Sequence, residues 1–519
     1  MKSLFIKIKL SVLRERHLYF ASTFTFLIIY LSTFTKGYGY FIDEFYYIAC
    51  ANNPAFGYVD HPPLAPLILT IYKFFFGDSL YAIRILPALA VTAAVFHTGI
   101  ITKEIGGNKF AQLLAACSFA SMPITAAFGG FYSMNAFELL LAVLLLLIIV
   151  RIIKSGNLKL WIYAGIIMGL GIMNKHTFVI FIIAVVISLA VGGKLKLLFN
   201  KWFIYGGLLS VLIFLPNIIW QIINDFPSIE FYRNISLYKN VYTPPFDFIM
   251  GQVMQMSPAT VPFWLAGTFY LLFSNRYKDF RFLSLLFIGL FLFMMLSGTS
   301  RPDRLAFAYP AVLTGGALFF TNIINRYNTF WLKYVVIVFL FAGLALALPL
   351  ILPYFNYETV KEYTEFIGIN TEVEKGKNPP LPQLLADRIG WEKKAKLVVD
   401  AYNSLSEEDK KQTIVAARNY GKAGAIELYG EDNNLPPIAS SHNNYYLWSK
   451  KRVSGNILLQ IDSPDDYNAL KELFNTVELF PGEFKNEYVS PDENNLVVFI
   501  CRGPKIPIIE MLERSKNFY

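Results

Sequence analysis

Cysteine is scarce in this chain: Cys50, Cys117 and Cys501 are the three thiols among 519 residues. An odd, scattered set of that kind excludes a disulfide framework and offers no paired metal-ligand spacing. Charge is scarce too. Charged residues make up 16% of the chain and hydrophobic residues 55%, whereas a soluble globular domain carries about 25% charged residues. The region after residue 353 has no glycine-rich phosphate loop, repeat or low-complexity tract, which removes the usual nucleotide-binding signatures from it. A basic start runs into an apolar stretch with no small-residue cleavage site behind it, so the expectation is a retained first span rather than a removed signal.

What is present is a succession of apolar runs from about Leu18 to Pro353, followed from Tyr354 onward by ordinary mixed sequence. The composition therefore predicts two parts, a membrane domain over 1–353 and a second domain over 354–519. A spanning helix needs about 20 mostly apolar residues. Eleven candidate spans begin near residues 18, 80, 110, 134, 160, 178, 202, 259, 282, 305 and 331. The net charge of +9 would suggest nucleic acid in a soluble protein, but here topology explains it and no nucleic acid partner is expected. Lysines and arginines gather in alternate loops: Lys2, Lys7, Lys9, Arg14 and Arg16 first, then the sets around Lys103, Arg151, Lys194, Arg276 and Arg326. Cytoplasmic loops are enriched in these residues, and an odd number of spans then puts everything after Pro353 outside.

Two outward loops are long, from Lys36 to about Ser79 and from Ile223 to about Pro258. The first carries Tyr38, Tyr40, Asp43, Glu44, Tyr46 and Tyr47, then Asp60 and His61 ahead of Pro62-Pro63, whose rings stiffen the backbone. A carboxylate there is able to take the proton of a hydroxyl nucleophile. Leu64 to Phe76, short and aromatic, suits a helix lying along the outer leaflet. Other outward positions add candidates: Asn135 and Glu138 one helical turn apart, Lys175 and His176 in a tight turn, and Arg301, Asp303 and Arg304 in another. Charges near a membrane are costly without a role or a partner. The cations suit a phosphate, which they hold by charge-assisted hydrogen bonds, although snorkelling to lipid headgroups also accounts for such residues. A divalent metal on Asp60, His61 and His176 stays open as a cofactor.

After residue 353, strands are expected over Lys396–Asp400, Thr413–Ala417, Asn456–Ile461 and Asn495–Cys501. A helix is expected over Pro464–Phe474, with Ser463 as its N-cap and Pro464 as its first residue. This makes a small α/β domain.

Several runs, taken in order, carry a resemblance: Asp43-Glu44-Phe45-Tyr46-Tyr47, Tyr58-Val59-Asp60-His61-Pro62-Pro63-Leu64, Ser133 to Glu138, Gly169 to Thr177, and Tyr309-Pro310 to Gly316. Asp387 to Trp391, Asn419 to Ala425 and His442 to Trp448 extend it through the C-terminal part. Together they resemble the polyprenyl-phosphate-dependent glycosyltransferases of the GT-C class, in the protein O-mannosyltransferase and aminoarabinose (lipid A) transferase superfamily, bacterial branch.

That resemblance implies a membrane glycosyltransferase of the inner membrane with a periplasmic C-terminal domain. It implies inverting transfer from a polyprenyl-phosphate sugar to an acceptor hydroxyl or phosphate on a lipid, glycan or protein. Asp43 would be the base, with Glu44 beside it. Asp60, His61, Lys175, His176, Arg301, Arg304, Asn135, Glu138 and Tyr46 would serve the donor phosphate and substrate. Asn135 stands where related enzymes often have aspartate, and Arg301 and Arg304 where they often have lysine. A transporter is the competing class, but its polar residues would lie near the membrane midplane in repeated halves, and no repeated half is seen here.

Overall fold

The computed structural model describes residues 15–240, 242–298, 301–369, 371 and 379–519. The basic residues Lys2, Lys7, Lys9 and Arg14 lie outside the described residues. The chain folds as two compact units, each assembled from separate stretches: 1–34, 81–219 and 242–354 in the first, 35–80, 220–241 and 355–519 in the second.

The first unit is helical. Among the described residues, seven helices in the chain are long and apolar enough to cross a membrane, among them Met134–Ser155, Lys201–Ile223 and Leu332–Ile351. Lys109–Ala120 and Pro123–Gly129 form a further pair bent by 69°. The expected spans beginning near 160, 259 and 282 are apolar helices too, but shorter: Leu158–Asn174, Pro258–Phe273 and Phe282–Ser297.

Hydrophobic exclusion gives little drive for helices to associate in lipid, so close packing through small residues matters. Here a β-carbon on Gly165 would fall 2.2 Å from the Gly206 carbonyl oxygen, and one on Gly267 1.9 Å from that of Val312. These glycines bring Trp161–Asn174 against Lys201–Ile223 and Val261–Phe273 against Tyr309–Arg326.

The second unit is built on a four-stranded sheet of β1 (Thr413–Ala417), β2 (Ile457–Asp462), β3 (Phe474–Leu479) and β4 (Val497–Pro504), in the order β1-β2-β4-β3. β1 and β2 run parallel, and β4 is antiparallel to both of its neighbours. Side chains alternate between the faces. Val415, Leu459 and Val498 join a large core that also holds Tyr46, Cys50 and Tyr58, so the stretch around residue 46 and the sheet share one hydrophobic interior. Ile414, Leu458 and Phe499 face a smaller core on the other side, with Leu470 and Ile508.

Two local expectations change. Lys396–Asp400 is helical, inside Trp391–Asn403. Val398 and Val399 favour a strand locally, but Trp391, Ala395, Val398 and Tyr402 repeat every three or four residues and are buried on one helical face, and that longer period wins. The helix expected over Pro464–Phe474 is a short 3-10 turn followed by Tyr467–Leu473, and the chain turns into β3 at Phe474. Ser463 does cap it, accepting the Asp465 N–H at 3.3 Å.

Candidate active site

Asp43 and Glu44 are not in a loop. They occupy the first turn of the helix Ile42–Asn52, within the second unit. Acidic residues favour that position because the first N–H groups of a helix lack partners and carry partial positive charge. Glu44, fully buried, reaches back so that its Oε2 accepts the Phe41 N–H at 2.8 Å, as the third helical residue of a capping box does. Asp43, half-buried, accepts the phenolic hydroxyl of Tyr420 at 2.8 Å.

Tyr420 stacks on Tyr46, ring centroids 4.8 Å apart. The Tyr46 hydroxyl in turn donates to Asp60 Oδ1 at 2.8 Å and accepts the Asn444 N–H at 3.3 Å. Two stacked phenols thus donate to two different aspartates. Burial first, and then the negative charge of Asp60, push the Tyr46 phenol well above its ordinary range, so it remains a donor at neutral pH. Tyr46 is buried, with its polar atom spent on Asp60 and Asn444.

His61 is buried as well, stacked on Tyr47 at 4.9 Å. Its Nδ1 contacts the Pro62 carbonyl oxygen at 2.9 Å, which places the proton there. Nε2 lies 3.9 Å from Asp60 Oδ1 and has no hydrogen-bond partner among the described residues. The aromatic packing therefore holds Asp43, Asp60, His61 and Tyr46 in one neighbourhood of the second unit.

The remaining candidates belong to the first unit. The Lys175 ammonium donates to Glu138 Oε2 at 2.7 Å and to Asn135 Oδ1 at 3.0 Å. Asn174 secures the turn by donating to the Met134 carbonyl at 2.8 Å. Arg301 meets Asp303 with two nitrogens, at 3.1 and 3.3 Å. Arg304 lies in the same turn, its N–H donating to the Arg301 carbonyl oxygen at 3.1 Å. His176 turns elsewhere, with Nε2 3.1 Å from Asn217 Oδ1. Among the described residues, no three His, Cys, Asp or Glu side chains are arranged to hold a metal.

The contact least visible in the sequence is Tyr420. The run Asn419 to Ala425 stands out in the sequence, but nothing local says that its tyrosine meets an aspartate 377 positions away.

Residues 60–220 match the family model described as dolichyl-phosphate-mannose-protein mannosyltransferase. No curated protein matches the chain. Among solved structures, ArnT from Cupriavidus metallidurans matches both in its apo state and bound to undecaprenyl phosphate. In each case the TM-score is 0.62 at 12% identity, over 92% of this chain and 97% of that one. The fold is therefore the one expected, a polytopic helical membrane protein with a small sheet in its C-terminal region.

Proposed function

We infer that the chain, a GT-C membrane glycosyltransferase using a polyprenyl-phosphate-linked donor, transfers the sugar with inversion to an acceptor on the periplasmic side of the inner membrane, with Asp43 as base. The acceptor offers a hydroxyl or phosphate on a lipid, glycan or protein. Residues 1–353 carry the spans, and residues 354–519 are the extracytoplasmic part.

The observation that carries this reading is the Asp43 carboxylate. It is half-buried at a helix N-terminus, oriented by one phenol and accompanied by a second aspartate that is held by another. For a hydroxyl acceptor, Asp43 removes the O–H proton as the oxygen attacks the anomeric carbon on the face opposite the carrier. The bond from that carbon to the phosphate oxygen breaks, and the electron pair leaves with the polyprenyl phosphate. In-line displacement of this kind inverts the anomeric centre. Independently of Asp43, Lys175, Arg301 and Arg304 of the first unit are proposed as the cations that bind the carrier phosphate. Guanidinium groups suit phosphate because their planar donors engage two oxygens together.

Glu138 and Asn135 hold Lys175 in place, and Asp303 holds Arg301. Glu44 and Tyr46 support their own acids, Asp60 and His61 serve the substrate, and His176 orders its turn. Purified protein reconstituted with radiolabelled undecaprenyl-phosphate sugars and a cell-envelope extract tests the assignment. Asp43→Asn should abolish most of the label transfer while leaving the protein folded. Wild-type transfer by Asp43→Asn would rule Asp43 out as the base.

A further inference from the structure

We propose that Tyr420 is a positioning residue for Asp43, and that the run Asn419 to Ala425 is built to seat its hydroxyl on that carboxylate. The proposal rests on the reading of Asp43 as base.

Five residues of the run, Asn419, Tyr420, Gly421, Lys422 and Gly424, have a physical task. Asn419 caps the helix Tyr420–Tyr429 by accepting the Lys422 N–H at 2.8 Å. Its side-chain amide donates to Glu493 Oε1 at 2.9 Å. Glu493 also takes the Lys394 ammonium at 2.8 Å and lies 3.5 Å from that of Lys422. All three charged groups are buried, so the N-terminal turn of the helix is clamped by a paired ionic cluster rather than left to fray.

Gly421 and Gly424 are needed for close approach. A β-carbon on Gly421 would fall 2.2 Å from Ile42 Cγ1, and one on Gly424 2.8 Å from Phe45 Cβ. Ile42 and Phe45 flank the acidic pair on the helix Ile42–Asn52. The two helices therefore meet through glycine, at a separation that lets a phenol span the gap to Asp43.

Two rings pack against that of Tyr420. Tyr46 stacks on it at 4.8 Å, and the His442 imidazole lies 4.7 Å away. His442 Nδ1 accepts the Tyr420 N–H at 3.4 Å, and its Nε2 faces the Tyr519 carbonyl oxygen at 2.5 Å. One imidazole satisfies both contacts when its proton is on Nε2. With backbone and ring both held, the hydroxyl has a defined direction. The hydroxyl engaged at Oδ1 fixes the direction of the Asp43 carboxylate, the group that takes the acceptor proton.

The experiment compares wild type, Tyr420→Phe, Asp43→Asn, Gly421→Ala and the double variant Gly421→Ala/Ile42→Ala. Transfer from radiolabelled undecaprenyl-phosphate sugars is measured together with thermal unfolding. Tyr420→Phe keeps the stacked ring and loses only the O–H. We expect kcat to fall about tenfold, as for one lost hydrogen bond to a charged group, with donor KM and Tm unchanged. Gly421→Ala should lower kcat by pushing the helices apart, and Ile42→Ala, which removes the clashing atoms, should restore most of it. If Asp43→Asn abolishes transfer while Tyr420→Phe keeps the wild-type kcat, or loses it only together with Tm, the role given to Tyr420 is wrong. If Asp43→Asn transfers normally, the underlying reading of Asp43 fails instead.

Discussion

The Glu44 carboxylate accepts the Phe41 N–H at 2.8 Å from a fully buried position. The two adjacent acids therefore do different work: Asp43 is turned to a phenol and Glu44 to the backbone. Replacing Glu44 by alanine removes a helix cap worth about 0.5–2 kcal/mol and loosens the turn that carries Asp43. Glu44→Gln keeps an acceptor oxygen and should keep most of the transfer activity, whereas Glu44→Ala should lose both Tm and rate. Comparison of transfer rates with Asp43→Asn checks this. Equal loss in Glu44→Gln and Asp43→Asn would mean that the negative charge of Glu44 itself takes part in the chemistry.

Lys175 is paired with Glu138, both largely withdrawn from solvent. Lys175→Met leaves a buried carboxylate without its cation, a change that costs about 3–5 kcal/mol when a buried pair is broken. The variant should show a lower Tm and, on the proposed role of Lys175 toward the carrier phosphate, should bind undecaprenyl phosphate about tenfold more weakly. Glu138→Gln lowers Tm but keeps the ammonium, so its affinity for undecaprenyl phosphate should stay close to wild type. Undiminished binding by Lys175→Met would remove that lysine from the leaving-group side.

Glu493 gives the second unit a signature in acid. Burial alone raises its pKa, but the ammonium groups of Lys394 and then Lys422, with hydrogen bonds from Lys394 and Asn419, hold the carboxyl at about 2, against an ordinary value of 4.5. The folded value is the lower one, so the stabilisation is complete above about pH 4.5 and is lost as the pH falls from there toward 2. Thermal unfolding from about pH 6 to about pH 3 should show wild type losing stability across that window. Glu493→Gln, starting about 3–5 kcal/mol lower, should show a flatter response. Parallel curves would mean that the cluster does not carry the acid sensitivity.

Hydropathy made the apolar helices legible, because whether some 20 residues prefer lipid or a buried interior is a property of those residues alone. It was equally local that Asp43, Glu44, Asp60 and His61 cluster beside aromatics, and that Lys175 and Arg301 fall in turns between apolar runs. The strand expected at Lys396–Asp400 failed because five residues are too short a window to display the helical period running from Trp391 to Asn403. β3 is hard to read from the sequence for a related reason: Asn475, Thr476, Glu478 and Leu479 are exposed on a strand at the sheet edge, so its hydrophobic signal is weak.

Which carboxylate faces which donor was a different kind of question. Lys175 joins Glu138 and Asn135 only because two helices pack side by side. Tyr420 reaches Asp43 only because Gly421 and Gly424 let its helix approach Ile42 and Phe45. The sequence by itself determined a membrane-embedded helical chain with an acidic, aromatic segment after its first apolar run, since those features follow from composition over short windows. The tertiary structure alone decided the partner of each acid, since hydrogen bonds act over about 3 Å and only folding brings residues hundreds of positions apart to that distance.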